Sequence, residues 1–151
     1  MEFGSFSVKK IHILRVDPGE DVLGSVRKFI AESGLKQAVV IGAYGTLAEH
    51  HLHWVRNNRI PAQDIHGTGE GGIEILSMNG LVVEGQPHIH VALATTAGAY
   101  GGHLEEGCIA YVLCEIMFAE VEGPELRRER TSVSVPGMGE GEVPRLRFGA
   151  R

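Results

Sequence analysis

The chain has 151 residues, 43% of them apolar, and a formal net charge of −5. This length and composition suit one globular domain with a core of its own, and exclude a disordered or fibrous chain. The acidic balance excludes a surface that grips a polyanion through its phosphates, and no apolar run approaches the roughly 20 residues of a membrane-spanning helix.

No basic-then-apolar leader opens the chain, and Met1-Glu2-Phe3-Gly4-Ser5 is left out of the fold reading as a candidate vector remnant. Val8 to Val16 reads as a first strand, broken by Asp17-Pro18-Gly19. Val22, Leu23, Val26, Phe29 and Ile30 then recur at helical spacing, and Gly34 stands where a left-handed residue would stop that helix. Ala38-Val39-Val40-Ile41 is a buried strand run, Gly42 and Gly45 mark a turn or bulge, and Leu47 to Val55 alternates again. Residues 57–72 read as a loop with one helical turn near Pro61. Ile73 to Met78 reads as a strand, Asn79-Gly80 as a turn, and Pro87 to Thr96 as a further strand. A glycine-rich stretch, Ala97 to Gly107, precedes a long apolar strand from Cys108 to Val121. Beyond Gly123 the composition shifts to Glu, Arg, Gly and Pro, which predicts an edge strand and a loose tail. The expected organisation is one α+β domain over 7–135, with a mainly antiparallel sheet and one principal helix, and a loosely ordered tail over 136–151.

Cys108 and Cys114 fall on one strand, roughly 20 Å apart at about 3.3 Å per residue, too far for the bridge of an intrachain disulfide. They read as buried free thiols, which suits a reducing cytoplasm.

The chemistry-bearing residues are histidines. In Pro87-His88-Ile89-His90-Val91 the imidazoles of His88 and His90 share one face of a strand, and Ile89, Val91 and Leu93 share the other. Two imidazoles so placed can reach one metal ion at about 2.0–2.1 Å. His103, behind Gly101 and Gly102, is the candidate third ligand, because glycine permits the close backbone approach that would fold it back. Three histidines with no fourth protein ligand describe an open site completed by water or substrate, the pattern of catalytic zinc. A second cluster, Glu49-His50-His51-Leu52-His53, places His51 and His53 on one face, either lining the same pocket or forming a solvent-facing strand edge. Glu74 and Glu115 sit inside apolar strands and are either partners of a ligating imidazole or ordinary edge carboxylates. The glycine spacing of Gly67 to Gly72 matches a dinucleotide fingerprint, but no strand leads into it and a strand rather than a helix follows, so that reading is rejected.

Gly72-Ile73-Glu74-Ile75-Leu76-Ser77-Met78-Asn79-Gly80, then His88-Ile89-His90, Gly101-Gly102-His103-Leu104 and Glu115-Ile116, together resemble the plant-and-prokaryote-conserved (PPC) domain, from about Val8 to Val121. The resemblance implies a homotrimer with a mainly antiparallel sheet, and a metal, zinc in expectation, near the subunit boundary on His88, His90 and His103. The DNA binding attached to the family depends in plant members on an Arg-Gly-Arg-Pro segment, which this chain lacks. The basic stretch Leu126-Arg127-Arg128-Glu129-Arg130 is interrupted by Glu129 and reads as a solvated strand face. The first functional expectation is therefore a trimeric zinc protein with a site for a small ligand or substrate, with or without turnover. The alternative is a non-enzymatic DNA-binding, regulatory or assembly module.

Overall fold

The computed structural model describes residues 1–149. The predicted first strand is β1 (Ser7–Val16), and the predicted helix is α1 (Val22–Ser33). Asp21 caps α1 by accepting from the backbone N–H of Gly24 at 2.7 Å, and Gly34 ends it in the left-handed region at φ 67°. The buried side of α1 carries Val22, Leu23, Val26 and Ile30. It lies on β1, β4 and β6, where Phe29 meets Phe118 with ring centroids 5.2 Å apart. Burying each of these aliphatic side chains stabilises the fold by about 1.5–3 kcal/mol.

The remaining elements are strands: β2 (Ala38–Val55), β3 (Asp64–Val83), β4 (Gln86–Thr95), β5 (Gly98–Leu104), β6 (Ile109–Glu122), β7 (Leu126–Val135) and β8 (Gly139–Phe148). One short helix among the described residues makes the fold mostly antiparallel β, so α+β describes it only approximately. The first six strands form one sheet in the order β1-β6-β2-β3-β4-β5. β2 pairs with β6 as far as Glu49, and its far end then pairs with β5 at Leu52 and His53. That second pairing joins β5 back to β2, so β2, β3, β4 and β5 close into a small ring of strands.

Two sequence expectations change here. Residues 64–72 are not loop but the first part of β3, paired with β2 from Val55 to Glu49. Asn79-Gly80 is not a turn: Asn79 pairs with His90 and Gly80 with Ile89, and the chain reverses at Glu84-Gly85 instead. Glycine at 80 serves close strand approach, because a Cβ there would collide with the backbone of His88. Of the turn or bulge expected at Gly42 and Gly45, the registers show bulges, within a continuous β2.

Residues 139–148, within the stretch expected to be a loose tail, are β8, paired along its length with β7; residues 150–151 lie outside the described residues. A two-stranded hairpin is marginal alone, and this one is tied down at both ends. Its tip accepts from the N–H of Ile60 through the Met138 carbonyl at 2.9 Å. At its base Phe148 faces Phe6 and Arg147 pairs with Glu2 at 2.6 Å.

The sheet has an inner face, holding Cys114, Ile116, Phe118, Val40, Ile89 and Val91 in the core, and an outer face. The registers give an outer row running Ile11, Ala119, Val39, Leu81, His88 across five strands. Much of this outer face is apolar and exposed, with Ile13 at 70% and Ile41 at 51%. Cys108 and Cys114 are free and buried, and burial pushes their thiols up to about 11 and about 12, which keeps them protonated and unreactive. No helix among the described residues is long and apolar enough to cross a membrane.

Candidate metal centre

The histidines are assembled by strand register. His88 and His90 project from the outer face of β4, while Ile89 between them and Val91 after them are buried. β5 runs back antiparallel to β4 and sets His103 directly opposite His90. The chain reverses at Thr95–Gly98, ahead of Gly101 and Gly102, and His103 is borne on the returning strand β5. On its other side β5 meets β2, where His103 stands opposite His53, and His53 in turn stands opposite His66 of β3. Facing side chains on adjacent strands have Cβ atoms about 4.5–5.5 Å apart. The result is a lateral row, His66, His53, His103, His90, with His88 beside its end.

His88, His90 and His103 each offer a ring nitrogen within 4.8 Å of the others. The ring of His103 stands at 79° to that of His88 and 82° to that of His90, so the three rings converge from different directions. Nε2 of His88 and Nε2 of His90 lie 3.3 Å apart. Two nitrogens bound tetrahedrally at 2.0–2.1 Å would be separated by about 3.3–3.4 Å, so this spacing matches the bite of zinc. His53, His103 and Glu105 form a second group within the same 4.8 Å. There the rings of His53 and His103 are stacked, with centroids 4.3 Å apart and planes 27° apart, so their in-plane lone pairs run side by side and not toward one point. The second group is therefore a poorer ion cradle. Its geometry instead makes His53 a shelf for His103, held by a 2.6 Å hydrogen bond between Nδ1 and the Glu105 carboxylate.

The electrostatics agree with that division. Burial, with the neighbouring His88, His53 and His90, pushes His103 down to about 4. His88 is lowered by burial and by the charges of Arg128, His90 and His53. Both shifts keep the imidazole neutral, the form that ligates a metal. Burial alone would raise Glu105, but the hydrogen bond from His53 and the charges of His53, His103 and His51 outweigh it and hold the carboxyl below its usual range.

Of the other residues named from sequence, His53 joins the row, and His51 extends it through His66, their Nε2 and Nδ1 being 3.0 Å apart. Gly102 is needed where it stands: a Cβ would lie 2.9 Å from the His53 carbonyl oxygen, blocking the contact that brings His103 to His53. Glu115 is elsewhere, accepting from the Tyr44 hydroxyl and paired with Tyr44 in the first half of β2, away from His53. Glu74 pairs with Thr46 and Ala94 and is likewise not in the row. Sequence reasoning missed His66 and Glu105. The first becomes visible only once β3 is known to begin at Asp64, and the second only once β5 is known to lie against β2.

The family model for the Plants and Prokaryotes Conserved domain matches residues 3–122. Over 112 residues, 74% of its length, the chain is 30% identical to the bifunctional protein GlmU of Synechococcus sp. (strain JA-3-3Ab), and it spans only 17% of that relative. The metal-containing protein AF0104 of Archaeoglobus fulgidus is 25% identical, with a TM-score of 0.71 over 92% of this chain and 96% of that one. A candidate DNA-binding protein of Bacteroides thetaiotaomicron shares the fold at a TM-score of 0.73 over 97% and 99% of the two chains, at 16% identity.

Proposed function

Because this chain belongs to the Plants and Prokaryotes Conserved domain family, we propose that it is a homotrimeric zinc-binding protein whose site, on His88, His90 and His103, takes a small ligand at an open coordination position. The observation that carries this reading is the 3.3 Å approach of two Nε2 atoms with a third, crossed imidazole beside them. That donor set of three imidazole nitrogens fits zinc, and the similarity to a metal-containing archaeal protein at 25% identity supports it. When bound, the ion would act as a Lewis acid on a ligand oxygen. The protein's own part is to hold His103 upright against His53, and to hold His53 by Glu105.

The apolar outer face supports an assembly of copies, and the family resemblance makes it a trimer. The exposed Ile11, Ile13, Val39 and Ile41 form an apolar surface of a kind monomers seldom leave uncovered. A second copy of the chain is the natural cover, and the register row from Ile11 to His88 places the histidine site at the margin of that face. DNA binding is the alternative, favoured by the family's usual label and opposed by the charge of −5.

The test is elemental analysis of the purified protein beside a His88→Ala, His90→Ala double variant. About one zinc ion per chain in the parent and none in the variant is expected; substoichiometric metal in both would refute the reading.

A further inference from the structure

At the end of the row away from His88 and His90, two further imidazoles meet. His51 of β2 and His66 of β3 stand diagonally across their strand pair, since His51 is opposite Thr68 and His53 opposite His66. Nδ1 of His51 lies 2.7 Å from the backbone carbonyl oxygen of Glu106. A carbonyl only accepts, so Nδ1 carries the proton and Nε2 of the neutral ring keeps a bare lone pair. That nitrogen lies 3.0 Å from Nδ1 of His66. The loop bearing the Glu106 carbonyl is pinned on both sides. The Glu105 N–H donates to the His51 carbonyl at 3.1 Å, and the Gly107 N–H donates to the Asp21 carboxylate at 2.6 Å.

An imidazole that donates one ring N–H to a backbone carbonyl and turns the other nitrogen outward has the orientation of a metal ligand. Two ring nitrogens 3.0 Å apart need a proton or a cation between them. At imidazole–metal distances of about 2.0–2.1 Å this spacing subtends about 91–97° at the ion. That is the right angle between adjacent positions of a square-planar or tetragonal ion, and copper(II) is the divalent ion that two imidazoles hold most tightly in that geometry. The 3.3 Å spacing of His88 and His90 instead subtends the wider angle of a tetrahedron. The rings of His51 and His66 are also tilted by 42°, more than the stacked pair of His53 and His103. With a cation in place His66 carries its proton on Nε2, and the residue is exposed to water.

We propose that His51 and His66 form a second metal site, which takes copper(II) through Nε2 of His51 and Nδ1 of His66 with water in the remaining positions. The site uses none of His88, His90 and His103, so it stands or falls apart from the zinc reading. The full-length chain carrying His88→Ala and His90→Ala can be titrated with copper(II) and followed by electron paramagnetic resonance, with the parent protein in excess zinc as a second background. One tetragonal copper per chain, coupled to two imidazole nitrogens, is expected. His51→Ala and His66→Gln, added singly, each weaken that copper about tenfold or more with circular dichroism unchanged, whereas His12→Ala, on β1, leaves it as it was. The two variants are read separately, so that misfolding of one leaves the other as the test. No saturable copper in either background, or an affinity that neither variant changes, overturns the inference and reduces the contact to a hydrogen bond between imidazoles. An equal loss in His12→Ala overturns it as well.

Discussion

His103 shows how much one residue's chemistry depends on its neighbours. Its pKa of about 4 lies below the ordinary imidazole value of 6.5, so as pH falls the unfolded chain takes up this proton before the folded one does. The stabilisation tied to His103 is thus complete above about pH 6.5 and is lost as pH falls through that value toward 4. The metal-free protein should lose thermal stability across this window, and His103→Phe should flatten the loss; a profile identical to the parent's would speak against it. His53 supports His103 by stacking rather than by pointing at the same ion. Glu105→Gln, which loses the charge that holds His53, should therefore weaken zinc about 10–100-fold without abolishing it, measured by competition with a chromogenic chelator.

Among the elements, α1 and β5 carry the most consequence for the site. Asp21 caps α1 through one carboxylate oxygen, and with the other accepts from the N–H of Gly107, just beyond β5, at 2.6 Å. One side chain thus ties the helix start to the segment that follows His103. Asp21→Ala should cost about 2 kcal/mol, or roughly 4–8 °C in Tm by calorimetry, more than an isolated cap because two N–H groups lose their partner. β5 needs glycine at 101 and 102 to lie flat between β4 and β2, since side chains there would press on the backbones of Val91 and His53. Gly102→Ala should destabilise by about 1–3 kcal/mol in a urea melt, as overpacking does.

For the whole molecule, the apolar outer face sets the expectation. Ile13→Glu and Ile41→Glu place charges on exposed positions where a monomer would tolerate them, and where a buried interface would not. The proposed trimer should dissociate in the double variant with its circular dichroism unchanged, as followed by sedimentation velocity. An unchanged sedimentation coefficient would put the subunit contact elsewhere. The DNA-binding alternative predicts an association that weakens steeply with salt. At a net charge of −5 the expected result is no retention even at low ionic strength.

By itself the sequence determined the local elements whose signals are short-ranged. α1 was legible from apolar spacing and from Gly34, and β4 from its alternation, which put His88 and His90 on one face. The order of the family's motifs singled out His103. What the sequence misread lay where glycine serves strand approach rather than reversal, as at Gly80, and where a polar, glycine-rich stretch gains its strand character from pairing, as in residues 64–72 of β3. Only the tertiary structure decided that β5 turns back to touch β2, because that contact joins residues far apart in the chain and no local propensity encodes it. That closure sets His53 against His103, and β7 docks at the β3–β4 turn through the Arg128 N–H on the Glu84 carboxylate.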